Sequence, residues 1–310
     1  MISKACFYRY ILLFVIGIIS QTTVGQESYN KQIRIQHDND FPFGIDRLYT
    51  AGSFGTYSHI LAGDFLFKRD SINPIQLDFT FGQETYTPRE LFERDFDLFE
   101  RPYAGYLFVS GKTTQVRRNH LWSLQGEIGV TGSISLAETL QVAYHELINE
   151  FIPVWEGQIA NGLHINARGT YIKDVEIKKP GRFTFFSLKS TLALGTRSIF
   201  AKQEALLFLG NRASLGQSSA FNRIGTVKEF YGFVGVGGTY VVHNAVIEGH
   251  LFGDNSPFTL DPVSFLFNFQ SGITYRKNRN TFQLIYNFQS PETRREGRLQ
   301  YASFVIARKF

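Results

Sequence analysis

The chain of 310 residues has a single cysteine, Cys6, and it lies ahead of the one long apolar run. Disulfides, thiolate catalysis and cysteine-based zinc sites are therefore excluded from everything downstream. No second apolar stretch approaches the ~20 residues that a membrane-spanning helix needs. Charge of one sign is not concentrated: the net charge of +5 is spread along the chain. No block of Lys and Arg is interleaved with aromatics, so nucleic acid is not an expected partner. No pair of histidines has the spacing of a zinc motif. A G-x-S-x-G elbow is also missing, and with it the signature of the usual serine hydrolases.

What is present begins with a leader. Lys4 and Arg9 precede Ile11–Ile19, an apolar run too short to span a bilayer, and Thr23 and Gly25 supply small residues after it. The pattern predicts a signal peptide over residues 1–25, cleaved after Gly25, and one mature domain over 26–310.

The mature sequence alternates with period two. Leu77, Phe79 and Phe81 alternate with Gln76, Asp78 and Thr80, and Phe282, Leu284, Tyr286 and Phe288 alternate with polar residues in the same way. Successive strand side chains point to opposite faces, so each segment has one apolar and one polar face. The apolar faces run for roughly ten residues, the length of a tilted transmembrane strand. Aromatics make up 15%, with 31 Phe and 15 Tyr, as interfacial girdles require. Backbone groups in lipid must all be paired, so such a sheet has to close.

The expected fold is all-β, a transmembrane antiparallel barrel of about twelve strands. The strands are placed near 31–38, 48–60, 73–83, 103–116, 120–131, 162–175, 184–196, 204–212, 229–244, 263–276, 280–289 and 300–310. The last strand ends on Phe310 and resembles the signal read by the barrel-assembly machinery, which places the protein in the outer membrane of a Gram-negative bacterium.

One segment breaks the pattern. Ser135 and Glu138 have the spacing of a capping box, and the residues that follow, to about 150, read as a loop helix. Long loops are extracellular in such barrels, so this helix belongs at the outer rim. Leu136, Leu140, Ala143 and Leu147 share one face; Glu138, Gln141, His145 and Asn149 share another.

Three places could carry chemistry. Asp38-Asn39-Asp40 ends the first strand and offers oxygen ligands for a hard cation such as calcium. A solvated strand-to-turn junction explains the same triplet and is commoner. Thr50 opens the second strand, where its hydroxyl could sit beside the triplet. Gln141 and His145, four apart on one helical face, could supply an amide and a general base; a polar helix face turned to solvent is the plainer alternative. Glu150 lies just past the helix and could ligate a metal or support the base. Arg101 sits in a corner-like segment, Glu100–Tyr106, and could pair with a carboxylate or a phosphate.

Taken in order, these segments resemble the outer-membrane lipid A 3'-O-deacylases of the LpxR type. The matching runs are Asn39-Asp40-Phe41, Asp46-Arg47 with Tyr49-Thr50-Ala51-Gly52, Gln83 with Tyr86-Thr87-Pro88, and Arg101-Pro102-Tyr103-Ala104-Gly105. Gly129 to Gly132, the helix bearing Gln141 and His145, Trp155–Ile159 and the last strand complete the set. The resemblance implies calcium-dependent hydrolysis of the 3'-linked acyloxyacyl ester of lipid A, the anchor of lipopolysaccharide, at the cell exterior. It implies His145 as general base. Asn39, Asp40 and Thr50 would form the calcium and oxyanion region, and Gln141 and Glu150 would complete the site.

The sequence departs from the family pattern in places. Gly162 stands where an acidic residue is usual, and Asp38 where Glu is usual. Only Arg89 and Arg94 offer themselves for the lipid phosphates. Two other readings remain: a non-catalytic channel or structural barrel, and a phospholipase A-type esterase, which would need a nucleophilic serine.

Overall fold

A computed structural model describes residues 29–40, 42, 48–68, 73–179 and 182–310. The expected leader, Phe41, Asp46 and Arg47 lie outside the described residues.

The strands are β1 (Lys31–Asn39), β2 (Leu48–Ile60), β3 (Gln76–Thr87), β4 (Ala104–Arg117), β5 (His120–Thr131), β6 (Gly162–Lys179), β7 (Arg182–Gly195), β8 (Ser198–Asn211), β9 (Glu229–Asn244), β10 (Phe265–Lys277), β11 (Asn280–Gln289) and β12 (Leu299–Lys309). Each pairs antiparallel with its sequence neighbours, and β1 pairs with β12, so the twelve strands form one closed barrel. Helix α1 (Ala137–Ile148) lies between β5 and β6, and a single turn, α2 (Ala245–Glu248), follows β9. No described helix is long and apolar enough to cross a membrane.

Side-chain alternation sorts the two faces. Ile33, Ile35, Phe79, Phe81, Val109, Ile128, Leu192, Leu194, Ile273 and Leu284 stand exposed on the exterior. Only hydrocarbon can cover such a band. The interior is polar, as the alternation predicts, and it carries many charges. Lys112 meets Asp78 at 2.9 Å, and Lys189 and Lys202 meet Glu204 at 2.8 and 3.1 Å. A cavity of about 720 Å³ remains in the lumen.

At the end that carries the termini, residues 212–228 fold into the barrel mouth. The Gln32 amide reaches Asn222 (3.1 Å), and the Arg223 guanidinium donates to the Pro74 carbonyl (2.8 Å). Arg276 donates to the carbonyls of Gln217 and Arg223 (2.6 and 2.8 Å) and pairs with Glu229 (2.9 Å). Leu215 packs on Val116, Leu121 and Ile172. Partners on β1, β4, β5, β6 and β10 mean that this segment crosses the lumen as a plug.

Several boundaries differ from the sequence reading, among them β6, which runs four residues past 175 to Lys179. Strand β8 starts at Ser198, six residues earlier than expected. Its first rungs carry Lys202 and Glu204, an ion pair facing the lumen, which masks the alternation. Strand β3 runs on to Thr87 because its outward side becomes polar after Phe81. No capping box forms. Ser135 donates its hydroxyl to the Gly132 carbonyl (2.6 Å), Glu138 accepts from Gln158 (2.9 Å), and Leu136 takes the N-cap position with a left-handed backbone, φ 61°.

Candidate active site

The site is built on the outside of the barrel, at the end opposite the termini. On β1, His37 and Asn39 continue the outward row begun by Ile33 and Ile35, so the exterior face turns polar near the strand end. His37 Nδ1 lies 3.0 Å from Ser53 Oγ on β2. On β3, Gln83, Thr85 and Thr87 continue the outward row of Phe79 and Phe81, and the Gln83 amide reaches Thr85 Oγ1 at 3.0 Å. A register shift between Tyr49 and Ala51 leaves Thr50 as an extra residue. Its hydroxyl then meets that of Thr87 at 2.6 Å. Polar groups on a lipid-facing wall are costly unless covered; Gln83, Thr85 and Thr87 are all buried.

Helix α1 is what covers them. Gly105 occupies an outward position on β4, and a Cβ there would stand 2.0 Å from Ser135 Oγ and 2.4 Å from Ala137 Cβ. The chain entering α1 is thus seated directly against the outer wall, through a gap that only glycine leaves open. From that seat α1 turns Ala137, Gln141 and His145 to the barrel; Gln141 and His145 are 8% and 6% exposed. Asn149, at φ 59°, ends the helix in the left-handed conformation that Asn tolerates.

His145 Nδ1 lies 2.5 Å from the Phe151 carbonyl. A carbonyl only accepts, so Nδ1 carries the proton and Nε2 is the basic nitrogen. The Trp155 indole N–H donates to Gln141 Oε1 at 2.9 Å, and Trp155 packs on Tyr103, their ring centroids 5.0 Å apart. That bond orients the amide. Gln141 Nε2 is buried and finds no hydrogen-bond acceptor among the described residues. A buried amide donor left unmet costs about 1–3 kcal/mol, so it is a donor awaiting an oxygen.

The triplet at the end of β1 divides. Asp38 faces the lumen, where it accepts from Tyr49 (3.0 Å) and Gln36 (2.8 Å). Asn39 faces outward. Asp40, 1% exposed, donates its backbone N–H to the Thr50 carbonyl at 3.4 Å. The backbones of Asn39, Asp40 and Thr50 therefore lie side by side where β1 ends and β2 begins, and the three residues carry an amide, a carboxylate and a hydroxyl, oxygen donors of the kind calcium takes. No group of three or more His, Cys, Asp and Glu that could hold a metal occurs among the described residues. A cation here would draw on amide, hydroxyl and carbonyl oxygens around one carboxylate. Glu150 is exposed, and its contribution is a backbone N–H to the His145 carbonyl at 2.9 Å.

The other candidates serve structure or surface. Arg101 is fully buried, lies 4.5 Å above the Tyr86 ring, and pairs with Glu292 (3.2 Å) and Glu296 (3.4 Å). It ties the loop after β11 to the loop after β3. Arg89 and Arg94 are exposed on that second loop, paired with Glu90 and Glu156. The reading from sequence missed the roles of Trp155, the Phe151 carbonyl and Gly105. Only the outward row of His37 and Asn39 was legible in advance, because those residues share the parity of Ile33 and Ile35.

Comparison with known proteins agrees with this architecture. Over 90% of this chain and 100% of the other, the fold matches LpxR from Salmonella typhimurium, with a TM-score of 0.75 and 22% identity. The KdgM porin and the β domain of the Bordetella autotransporter BrkA match at TM-scores of 0.41 and 0.43, with 7% and 8% identity. Coverage of this chain is 90% and 92%, and of those chains 99% each. No curated protein matches the sequence. The model of the outer membrane protein LpxR family matches residues 10–310, and the chain belongs to that family of outer-membrane barrels.

Proposed function

We propose that this protein is a lipid A deacylase that hydrolyses the 3'-linked acyloxyacyl ester of lipid A in the outer leaflet, with the site at the extracellular end of the barrel. One observation carries the chemistry: a basic histidine nitrogen and an unmet amide donor stand one helical turn apart, both turned to the outer wall. A substrate that resides in the leaflet meets the barrel from its side. A site on the exterior wall therefore suits a lipid, whereas a solute passing through a pore would be met in the lumen.

His145 Nε2 takes a proton from water, and the water oxygen bonds to the ester carbonyl carbon. The carbonyl electrons move onto oxygen, and Gln141 Nε2 donates to that oxyanion. Collapse breaks the carbon–oxygen bond to the sugar, and the His145 proton passes to the departing alkoxide. The products are the free acid and the sugar hydroxyl, so no nucleophilic serine is needed. Asn39, Asp40 and Thr50 are the residues that would hold calcium, which when bound would polarise the ester carbonyl and offset the oxyanion charge. Glu150, turned to solvent, is assigned no step.

The test is mass spectrometry of lipid A from cells expressing the wild type or His145→Ala, with and without calcium chelation. The expected result is loss of one 3'-linked acyloxyacyl group in the untreated wild type alone. Unchanged lipid A in every sample would overturn the reading. The plug of residues 212–228 counts against a channel, and a conducting wild-type barrel in planar bilayers would revive that alternative.

A further inference from the structure

Helix α1 is amphipathic in a way that its packing does not use. At about 100° per residue, the buried Ala137, Gln141 and His145 form one sector. The exposed Leu140, Tyr144 and Leu147 form the sector beside it, and the exposed Thr139 and Glu146 lie on the far side. The apolar sector is therefore a flank. It is extended by Phe92 and Phe151, whose rings meet at 5.2 Å and which are both exposed, and by Ile152. Leu147 is 64% and Phe151 74% exposed, which water would not favour across so many neighbouring side chains.

The flank follows the lipid-facing band along the chain. On β5 and β6 the exterior stays apolar to the last rungs: Ile128 pairs with Ile165, and Val130 with Leu163. The chain then leaves β5 through the exposed Ile134 and Leu136 and enters α1. Exposed apolar residues thus lead along the chain from the barrel wall onto the helix, past the polar pair Ser133 and Asn161. Beneath the helix, by contrast, the wall at Gln83, Thr85 and Thr87 is polar.

We infer that α1 is an interfacial helix whose Leu140–Tyr144–Leu147 flank, with Phe92 and Phe151, is immersed in the acyl chains of the outer leaflet, while Thr139 and Glu146 face water. The occupant of this surface is membrane hydrocarbon rather than a protein partner. The apolar flank is in lipid, the side away from the wall is in water, and the buried face is against the wall. That arrangement holds the helix at the level where acyl chains meet headgroups. It also places His145 and Gln141 at the depth of ester linkages, whichever ester they act on. The inference concerns position in the membrane and does not depend on the proposed reaction.

Site-directed spin labelling tests it directly. In a Cys6→Ser background, Leu147→Cys, Glu146→Cys and Leu163→Cys each receive one nitroxide. Each protein is placed in phosphatidylcholine vesicles containing lipopolysaccharide. Collision rates with oxygen and with a water-soluble nickel chelate then report depth. The expected result is an oxygen-to-nickel ratio at Leu147 grouped with Leu163 in the band and severalfold above that at Glu146. A ratio at Leu147 grouped with Glu146 would overturn the inference. Heat-modifiable migration of each labelled barrel shows that it is folded, and a Tyr144→Cys label replaces Leu147→Cys if that variant is not.

Discussion

The lumen and the outer wall beneath α1 are both polar, yet the proposed chemistry draws on only one of them. The lumen holds a cavity of about 720 Å³ and many charges, several of which meet partners: Lys112 with Asp78, Lys189 and Lys202 with Glu204, Arg276 with Glu229. Pairing of this kind offsets the cost of burying charge. Arg168 Nε and Arg197 Nε, both lining the lumen, find no acceptor among the described residues, and no contact among those residues orients a base beside them. The wall under α1 carries fewer charges. It brings together a histidine whose tautomer is fixed by a carbonyl and a glutamine whose donor is unmet. The comparison teaches what carries the proposal: polarity is common to both regions, and an unmet donor beside an oriented base is what sets the outer wall apart.

Variants on the two sides should separate accordingly. The largest effect is expected from His145→Ala, which removes the base and should lower deacylation by about 10²–10⁴-fold, with heat-modifiable migration kept. Gly105→Val comes next. Its side chain would strike Ser135 and Ala137 and lift the helix off the wall, and a displacement near 1 Å costs about 10²-fold. Trp155→Phe keeps the ring packed on Tyr103 but frees the Gln141 amide to rotate. Losing that one orienting hydrogen bond, about 1 kcal/mol, should lower kcat several-fold and leave KM near its wild-type value. On the lumen side, Glu204→Gln should leave deacylation unchanged while lowering the melting temperature, because Lys189 and Lys202 lose their partner. A loss of activity there equal to that of Trp155→Phe would erase the distinction between the two regions.

The sequence made the barrel legible because strand alternation is local. Phe79, Phe81, Leu192 and Leu194 announce an outward face whatever lies across the sheet. It failed where the interior interrupts that signal, as at Lys202 and Glu204 in β8. Of the candidate site, only the helical pair was legible, as geometry: Gln141 and His145 share one face of α1, as their spacing predicts. The site was not legible in its support, which is long-range: nothing local to Gly105 says that Ser135 will press on it, and nothing local to Trp155 says that its indole will hold Gln141. The apparent capping box shows the same limit. Ser135 had the spacing to cap α1, but its hydroxyl donates to the Gly132 carbonyl instead, and the side chain packs over Gly105 of β4. The plug was hidden for a related reason, since residues 212–228 have partners on strands far away in the chain.

The smallest expected effect lies where the two regions meet, at the loop that Arg101 ties down. Burial pushes the Glu296 carboxyl up to about 7 from an ordinary 4.5; Arg101 opposes the shift and the nearby Glu292 adds to it. A carboxyl raised in the folded state binds its proton more tightly there than in the unfolded chain. Its contribution to stability is therefore complete below pH 4.5 and is lost as the pH rises through about 7. Across that window the temperature at which the barrel loses its compact gel migration should fall modestly. Glu296→Gln, which keeps a neutral group at every pH, should flatten the dependence. Because His145 is held by α1 and Phe151 rather than by this loop, the pH profile of deacylation should be the same in that variant. A profile that moves with Glu296→Gln would mean that the loop after β11 and the outer-wall site are coupled, and the two regions would then have to be treated as one.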